Sequence, residues 1–423
     1  MPTQRLVRIR QNFPKRALAD VTAAVRATLE AADWTKKVKP GSRIAIGAGS
    51  RGIQNIDVIV KAAVDFWKSR DCQPFIIPVM GSHGAATAEG QADVLHHYGI
   101  TEERMGAPVI SSLDVVTIGT TPEGIEVSMD KQAFEADGVM LCSRVKWHTD
   151  FEGGLESGVH KMMAIGLGKW AGAKRYHTWA LRLGMEKVIR SVGQVVLGSG
   201  KMLGGLAILE DAWHNTAEVH AIGAATIVPE EEKLLALTKS WKANIPAKEV
   251  DLLIVDEMGK TFSGAGMDTK VVNRSVEGPN VWKDVPVVRR LFVRELSNKS
   301  YGNAIGVGFA DITTDRLVNA IDYNATWVNG LTSSTTQPGA TPMHFATDRD
   351  CVEKIIETCG RGNPNDCSIV WIPNTMDIAE CLVSENLLPE IEQNPEIEII
   401  SGPQEIDFDS AGNLIPAFEA VAH

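Results

Sequence analysis

The chain has 423 residues, carries 42 Lys+Arg against 53 Asp+Glu, and so has a formal net charge of −11 at pH 7. Its composition, 44% hydrophobic, 6% aromatic and 22% charged, is that of a globular protein and sets aside disorder, collagen and coiled coil, while the length favours two domains over one. There is no run of about 18 apolar residues to span a membrane, no apolar core of a secretory signal, and no basic patch to meet nucleic acid or anionic lipid, so the expectation is a cytoplasmic protein acting on a small molecule.

Short apolar runs alternate with longer helical stretches, the pattern of an α/β fold with mainly parallel sheets. Residues 15–32 read as an amphipathic helix, 43–47 as a buried strand, and 56–70 as a helix with Ile59, Ala63, Val64 and Trp67 on one face. Residues 74–79 form the next strand and 87–98 a helix opened by a Thr87-x-x-Gly90 turn; 138–142 and 204–210 are the third and fourth strands. Between these last two, residues 146–177 are rich in Gly and His, too polar for core and too ordered in spacing for a linker, and the chemistry is expected there. A helix over 229–241 and a hinge over 242–248 place a boundary near 247, giving domains 1–247 and 248–423. Beyond it, 251–256, 306–310 and 368–372 read as strands, 348–359 as a helix, and the tail from Glu396 as an edge strand. The six cysteines (Cys72, Cys142, Cys351, Cys359, Cys367, Cys381) make no CxxC pair and read as reduced thiols.

Three motifs carry chemistry. Gly47-Ala-Gly49-Ser50-Arg51-Gly52 fits GxGxxG between a strand and a helix, but the acidic residue that would hold a ribose after the second strand is absent, since that region reads Pro78-Val-Met-Gly-Ser-His83. What survives is an anion-holding loop at a helix N-terminus with Arg51 as a positive fork, or a plain tight turn. Gly81-Ser82-His83-Gly84 follows the second strand on the same carboxyl-end side, where open parallel sheets bind ligands, and an ordinary imidazole there suits proton transfer at neutral pH. A solvent-facing or capping histidine is the alternative. The third motif runs from Trp147-His148-Thr149-Asp150 through His160-Lys161 to Tyr176-His177; its histidines and lysines suit a metal or a charged cofactor, although the spacing matches no zinc hydrolase and no calcium loop. His96 and His97 read as surface, His214 and His220 as flanking a helix, and Trp170, Trp179 and Trp213 as packing.

The order of these elements resembles the nickel-dependent lactate racemase family: a Gly/Ser-Arg turn after the first strand, Gly-Ser-His-Gly after the second, then His148, a Gly-rich loop, Lys161 and, sixteen residues on, His177. The resemblance implies two α/β domains with the active site in the cleft between them, and racemisation or epimerisation of a 2-hydroxy acid. It implies a nickel-pincer nucleotide, a pyridinium mononucleotide that binds nickel through two sulfurs and a ring carbon, and that a lysine can tether. Carried over by position, Lys161 resembles the tether, His177 the nickel ligand, and His83 and His148 the paired general acid/bases. Arg51, with Gly49 and Ser50, resembles the family's first loop, near cofactor or substrate. The enzymes that make the cofactor are the implied partners. The acidic residue before the loop arginine is replaced, Gly84 stands where an arginine usually follows the first histidine, and the span from His148 to Lys161 is longer, which points to a hydroxy acid other than lactate. In the second half, Lys260 or Lys270, in the loop after that domain's first strand, is a candidate for the substrate carboxylate; solvated surface lysines are the alternative. Two further readings of the chain are a metal-dependent lyase or hydratase acting on sugar acids, and a non-catalytic pincer-nucleotide-binding protein.

Overall fold

The computed structural model describes residues 5–49 and 52–418. From the N-terminus its elements are β1 (Arg5–Gln11), α1 (Val21–Ala31), β2 (Arg43–Ala48), α2 (Ile56–Lys68), β3 (Gln73–Pro78), α3 (Ala88–His97), α4 (Glu102–Met105), the hairpin β4 (Val115–Thr120) and β5 (Glu126–Asp130), α5 (Lys131–Glu135) and β6 (Gly138–Arg144). A single turn α6 (Val159–Lys161) is continued by a π turn (Met162–Gly166), and α7 (Lys169–Leu183), α8 (Met185–Gly198), β7 (Met202–Glu210), β8 (Thr216–Gly223) and α9 (Ile227–Ser240) follow.

The unit Pro14–Lys242 is built on a five-stranded sheet of order β3-β2-β6-β7-β8, parallel except for the β7–β8 pair. Both faces are covered, so β2, β3, β6 and β7 are largely apolar and divide their side chains by alternation, whereas the edge strand β8 carries Glu218 and His220. Ala45, Ile77, Val139, Leu141 and Ala207 pack on the face that carries α7, α8 and α9, whereas Ile44, Ile46, Ile76, Met140 and Leu206 pack on the face of α1 and α2. Gly47 lies on the first of these faces because a side chain there would collide with Leu141 and Val79.

The other unit joins Met1–Phe13 to Ala243–His423. Its strands after β1 are β9 (Glu249–Met258), the short hairpin β10 (Arg274–Ser275) and β11 (Gly278–Pro279), β12 (Val287–Leu296), β13 (Ile312–Thr314), β14 (Met343–Phe345), β15 (Ile369–Ile372), β16 (Glu380–Ser384), β17 (Ile397–Ile399) and β18 (Gln404–Glu405). The main sheet runs β14-β13-β12-β9-β15-β16-β1-β17, with β18 also on β1; it is parallel from β14 to β15 and antiparallel beyond.

The chain thus leaves the first unit at the expected hinge, but the contiguous 1–247 assignment is corrected. β1 hydrogen-bonds β16, β17 and β18, and so belongs with the C-terminal sheet. Three further expectations change. Residues 306–310 form a 3-10 turn over Val307–Phe309, not a strand, because Gly306 at φ +101° turns the chain while Val307 and Phe309 stay buried. His220 lies in strand β8 and His214 in the turn before it, so no helix stands between them. The long central strand β12 lacks an expected counterpart. Arg289, Arg290 and Arg294 interrupt its apolar pattern, each answered by a partner: Glu249, Thr358 and Asp348 respectively.

Candidate active site

In the five-stranded sheet the chain passes from β2 to β3 on one side and then returns to β6 on the other, so the order reverses at β2. Such a switch point opens a crevice at the carboxyl ends of the strands. The loop after β3 carries His83 and the loop after β6 carries His148. They therefore flank the loop after β2, which contains Gly49 and Gly52; at ordinary strand spacing the ends of β3 and β6 stand about 10 Å apart, room for a small acid between them. Ser50 and Arg51 lie outside the described residues. A cleft of about 830 Å³ lined by Trp34, Ile44, Asp137 and Met202 lies at the opposite, amino-terminal edge and does not involve these loops.

The His83 loop is held by backbone geometry. Gly84, Ala85 and Ala86 all have positive φ (64°, 53° and 55°), a costly run for the two alanines and one of the places where strain gathers at functional loops. Gly84 admits no side chain, since a Cβ would lie 2.5 Å from the Gln91 amide nitrogen. Buried Gln91, on α3, donates from Nε2 to the carbonyls of Gly81 at 3.0 Å and His83 at 3.3 Å, tying the first and third residues of the tetrapeptide to one side chain. Thr87 caps α3 by accepting from the Gly90 amide, as the sequence spacing indicates. At the end of β3, the buried Lys169 ammonium donates to the Pro78 carbonyl at 2.6 Å and pairs with buried Asp130 at 2.8 Å; burial lowers its pKa and Asp130 opposes that shift.

On the other side, His148 stacks on Phe151 with ring centroids 4.4 Å apart, and the Lys161 ammonium sits 5.7 Å from the same ring. One aromatic side chain thus brings together two residues thirteen positions apart. The Asp150 amide donates to His148 Nδ1 at 3.0 Å, so the neutral ring carries its hydrogen on Nε2, and taking up a proton at Nε2 requires the tautomer with hydrogen on Nδ1. The buried Glu156 carboxylate accepts from the His148 amide at 2.5 Å and from the Gly153 amide at 3.2 Å, and pairs with Lys239 of α9. Lys161 itself is only 9% exposed and ends the single turn α6, directly before the π turn, an element often found at functional sites.

The two sides meet through Gly81, where an added side chain would press on Ile165 of the π turn and Ala173 of α7. His177 follows Ala173 by one turn of α7, about 6 Å along the axis, and is partly exposed. His83, His148, Lys161 and His177 are therefore carried by segments of one unit linked by direct packing. Lys260 and Lys270 belong to the other unit. The Lys260 ammonium donates to the Gly264 carbonyl within its own loop, and Lys270 is buried with its ammonium 3.1 Å from the centroid of Trp282. Among the described residues no three His, Cys, Asp or Glu side chains converge as a metal site. The donor set at the candidate site, one amine and separate imidazoles, suits a metal whose remaining ligands arrive with an organic group.

Sequence reasoning missed Gln91, Phe151, Glu156 and Lys169. Phe151, Glu156 and Lys169 lie inside the expected 146–177 stretch but match no motif, and Gln91 sits in a helix whose pattern carries no sign that its polar end turns inward.

No protein-family model and no curated protein matches the chain. Among solved structures it is similar to a Thermotoga maritima protein, with a TM-score of 0.54 and 11% identity over 86% of this chain and 98% of that one. It is also similar to the lactate racemase apoprotein from Thermoanaerobacterium thermosaccharolyticum, with a TM-score of 0.47 and 13% identity over 88% of this chain and 99% of that one. At 11% identity the first likeness speaks to fold alone, an α/β architecture with mostly parallel sheets.

Proposed function

We propose that the chain is a racemase or epimerase of a 2-hydroxy acid, with His83 and His148 as a pair of general acid/bases and with Lys161 and His177 holding a nickel-pincer nucleotide. The observation that supports this reading is the strand order β3-β2-β6, which sets the His83 and His148 loops on either side of the Gly49 loop at the switch point. Inversion at carbon needs one proton-transfer group per face of the substrate, and two loops separated by a single strand supply that arrangement. The lysine and the histidine sixteen residues later suit the cofactor: the lysine is largely withdrawn from water beside an aromatic face, and the histidine offers one imidazole for a metal otherwise bound by the organic ring.

When bound, such a cofactor supplies reversible two-electron acceptance, which no protein side chain offers. The work left to the chain is orientation and proton transfer. One histidine takes the hydroxyl proton of one enantiomer, and the other serves its mirror image. Phe151 backs the His148 ring, and Gln91 holds the backbone of the His83 loop through the Gly81 and His83 carbonyls.

The test is to express the chain with the enzymes that make the cofactor, then measure nickel content, intact mass and exchange of the C2 hydrogen across a panel of 2-hydroxy acids. Stoichiometric nickel, an adduct on Lys161 and inversion of one acid are expected. Loaded protein that exchanges no C2 hydrogen overturns the reading. So does protein without nickel or adduct from a host that loads a control racemase, and loss of water from a sugar acid moves it to a lyase.

A further inference from the structure

The loop that joins β6 to the π turn is backed by two helices, α8 and α9. Lys239 of α9 pairs with Glu156, which holds the amide of His148. Glu232 pairs with Arg190, which in turn pairs with Glu186, and Glu186 accepts from the amides of Gly154 and Leu155. Glu231 reaches the far end of the loop: its Oε2 accepts from the His160 amide at 3.0 Å. His160 is the second residue of α6, its amide has no partner within so short a helix, and the carboxyl group supplies one from a distant element.

Glu231 is 1% exposed, and its Oε1 has no hydrogen-bond partner. Burying a carboxyl group with one oxygen unpartnered costs stability, and here its other oxygen offsets a second cost by satisfying the His160 amide. Gly158 is matched to it, because a Cβ there would lie 2.3 Å from Glu231 Oε1. Gly158 has φ 168°, an extended backbone open to any residue, so its lack of a side chain serves the carboxylate and not the turn.

We propose that Glu231 is a positioning residue for Lys161: it fixes the start of α6, and through it the depth and direction of the lysine that holds the cofactor. The role of Lys161 rests on the function proposed above; the dependence of its placement on Glu231 does not. Glu231→Gln keeps a carbonyl oxygen where Oε2 stands, and with it the acceptor for the His160 amide. Glu231→Ala removes the acceptor, Glu231→Asp withdraws it by one methylene, and Gly158→Ala displaces it while leaving Glu231 in place.

The experiment is pulsed acetylation of the purified chain, read peptide by peptide by mass spectrometry together with amide hydrogen exchange over 158–163, with buried Lys169 as the internal reference. Lys161 acetylation and exchange in that segment should rise roughly tenfold in Glu231→Ala, Glu231→Asp and Gly158→Ala, the factor expected for loss of one buried hydrogen bond, with Lys169 unchanged. Glu231→Gln should remain at the wild-type rate. Wild-type rates in Glu231→Asp and Gly158→Ala overturn the proposal, and so does a Glu231→Gln variant as reactive as Gly158→Ala. If Glu231→Ala does not fold, the other three variants decide. Because no substrate is present, failure to find a racemised acid leaves this result standing, and failure here leaves the racemase test standing.

Discussion

The imidazole of His148 lies on the ring of Phe151 at 4.4 Å, and that ring also carries the ammonium of Lys161. The proposed general acid/base and the proposed cofactor lysine thus share one aromatic wall, so a change at Phe151 reaches both. The loop between them is pinned at both ends by buried carboxylates, Glu156 at the His148 amide and Glu231 at the His160 amide.

His83→Ala and His148→Ala should each lower the rate of C2 inversion by about 10²–10⁴-fold, the usual contribution of a positioned general acid/base. Nickel content and any Lys161 adduct should stay at wild-type levels, whereas His177→Ala should lose nickel. Metal analysis and C2 deuterium exchange on the same preparations separate the roles; full activity in both His→Ala variants would remove the pair from the mechanism.

Glu156→Ala should leave the amides of His148 and Gly153 without their acceptor, at about 1–3 kcal/mol for each group left unsatisfied. Lys239 is partly exposed and can return to water, so the loss should come from the amides and not from a stranded charge. Urea denaturation gives the stability change, and faster hydrogen exchange confined to 147–156 would locate it.

Lys169→Met should be strongly destabilising, by about 3–5 kcal/mol, because it strands the buried Asp130 carboxylate. The double variant Lys169→Met with Asp130→Asn should recover much of that loss, since no uncompensated charge remains. A double variant no better than the single one would assign the cost to the lost bond with the Pro78 carbonyl.

The stability of the chain should respond to pH through two buried groups of opposite sign. Desolvation, with some help from Arg190, lowers the His160 pKa to about 4; desolvation raises that of Glu231 to about 7 against the opposing amides of His160 and Val159. Below about pH 6.5 the unfolded chain protonates His160 and the folded chain does not, so this contribution is lost as pH falls from about 6.5 to 4. Above about pH 4.5 the unfolded chain ionises Glu231 and the folded chain does not, so that contribution is lost as pH rises from about 4.5 to 7. Between the two the slopes cancel. Relative to wild type, Glu231→Gln should therefore gain stability with rising pH by about 1.4 kcal/mol per unit across that window, and His160→Phe should show the reverse slope. Denaturation curves from pH 4 to 8 check both, and difference curves without slope would count against these protonation states.

Gly84→Ala should distort the His83 loop, because its methyl would stand 2.5 Å from the Gln91 nitrogen at a backbone φ of +64°. The expected loss is about 1–3 kcal/mol of stability, with activity falling further than stability does. Gly52→Ala has a similar positive φ with no described atom within 4 Å of the added methyl, and its stability serves as the control for backbone strain alone.

Much of this protein was legible in the order of its residues, and the reason is physical. A parallel strand buried on both faces must be apolar throughout, so β2, β3, β6, β7, β9 and β15 stand out locally. A histidine among glycines directly after such a strand has little to pack against, which marked His83, and His148 stood out by following the third strand at the start of a stretch rich in Gly, His and Lys. What the sequence could not determine depends on partners far along the chain. β1 is a strand of the C-terminal sheet only because β16 and β17 arrive some 370 and more residues later to pair with it. β12 hides behind arginines whose carboxylate partners lie elsewhere, among them Asp348, 54 positions on. Glu231 sits in an ordinary charged helix by pattern, and only the packing of α9 against α6 turns its carboxylate inward to the amides beside Lys161. Local chemistry thus singled out the candidate residues, while the support that sets their positions arises from hydrogen bonds and burial between segments that only the folded chain brings together.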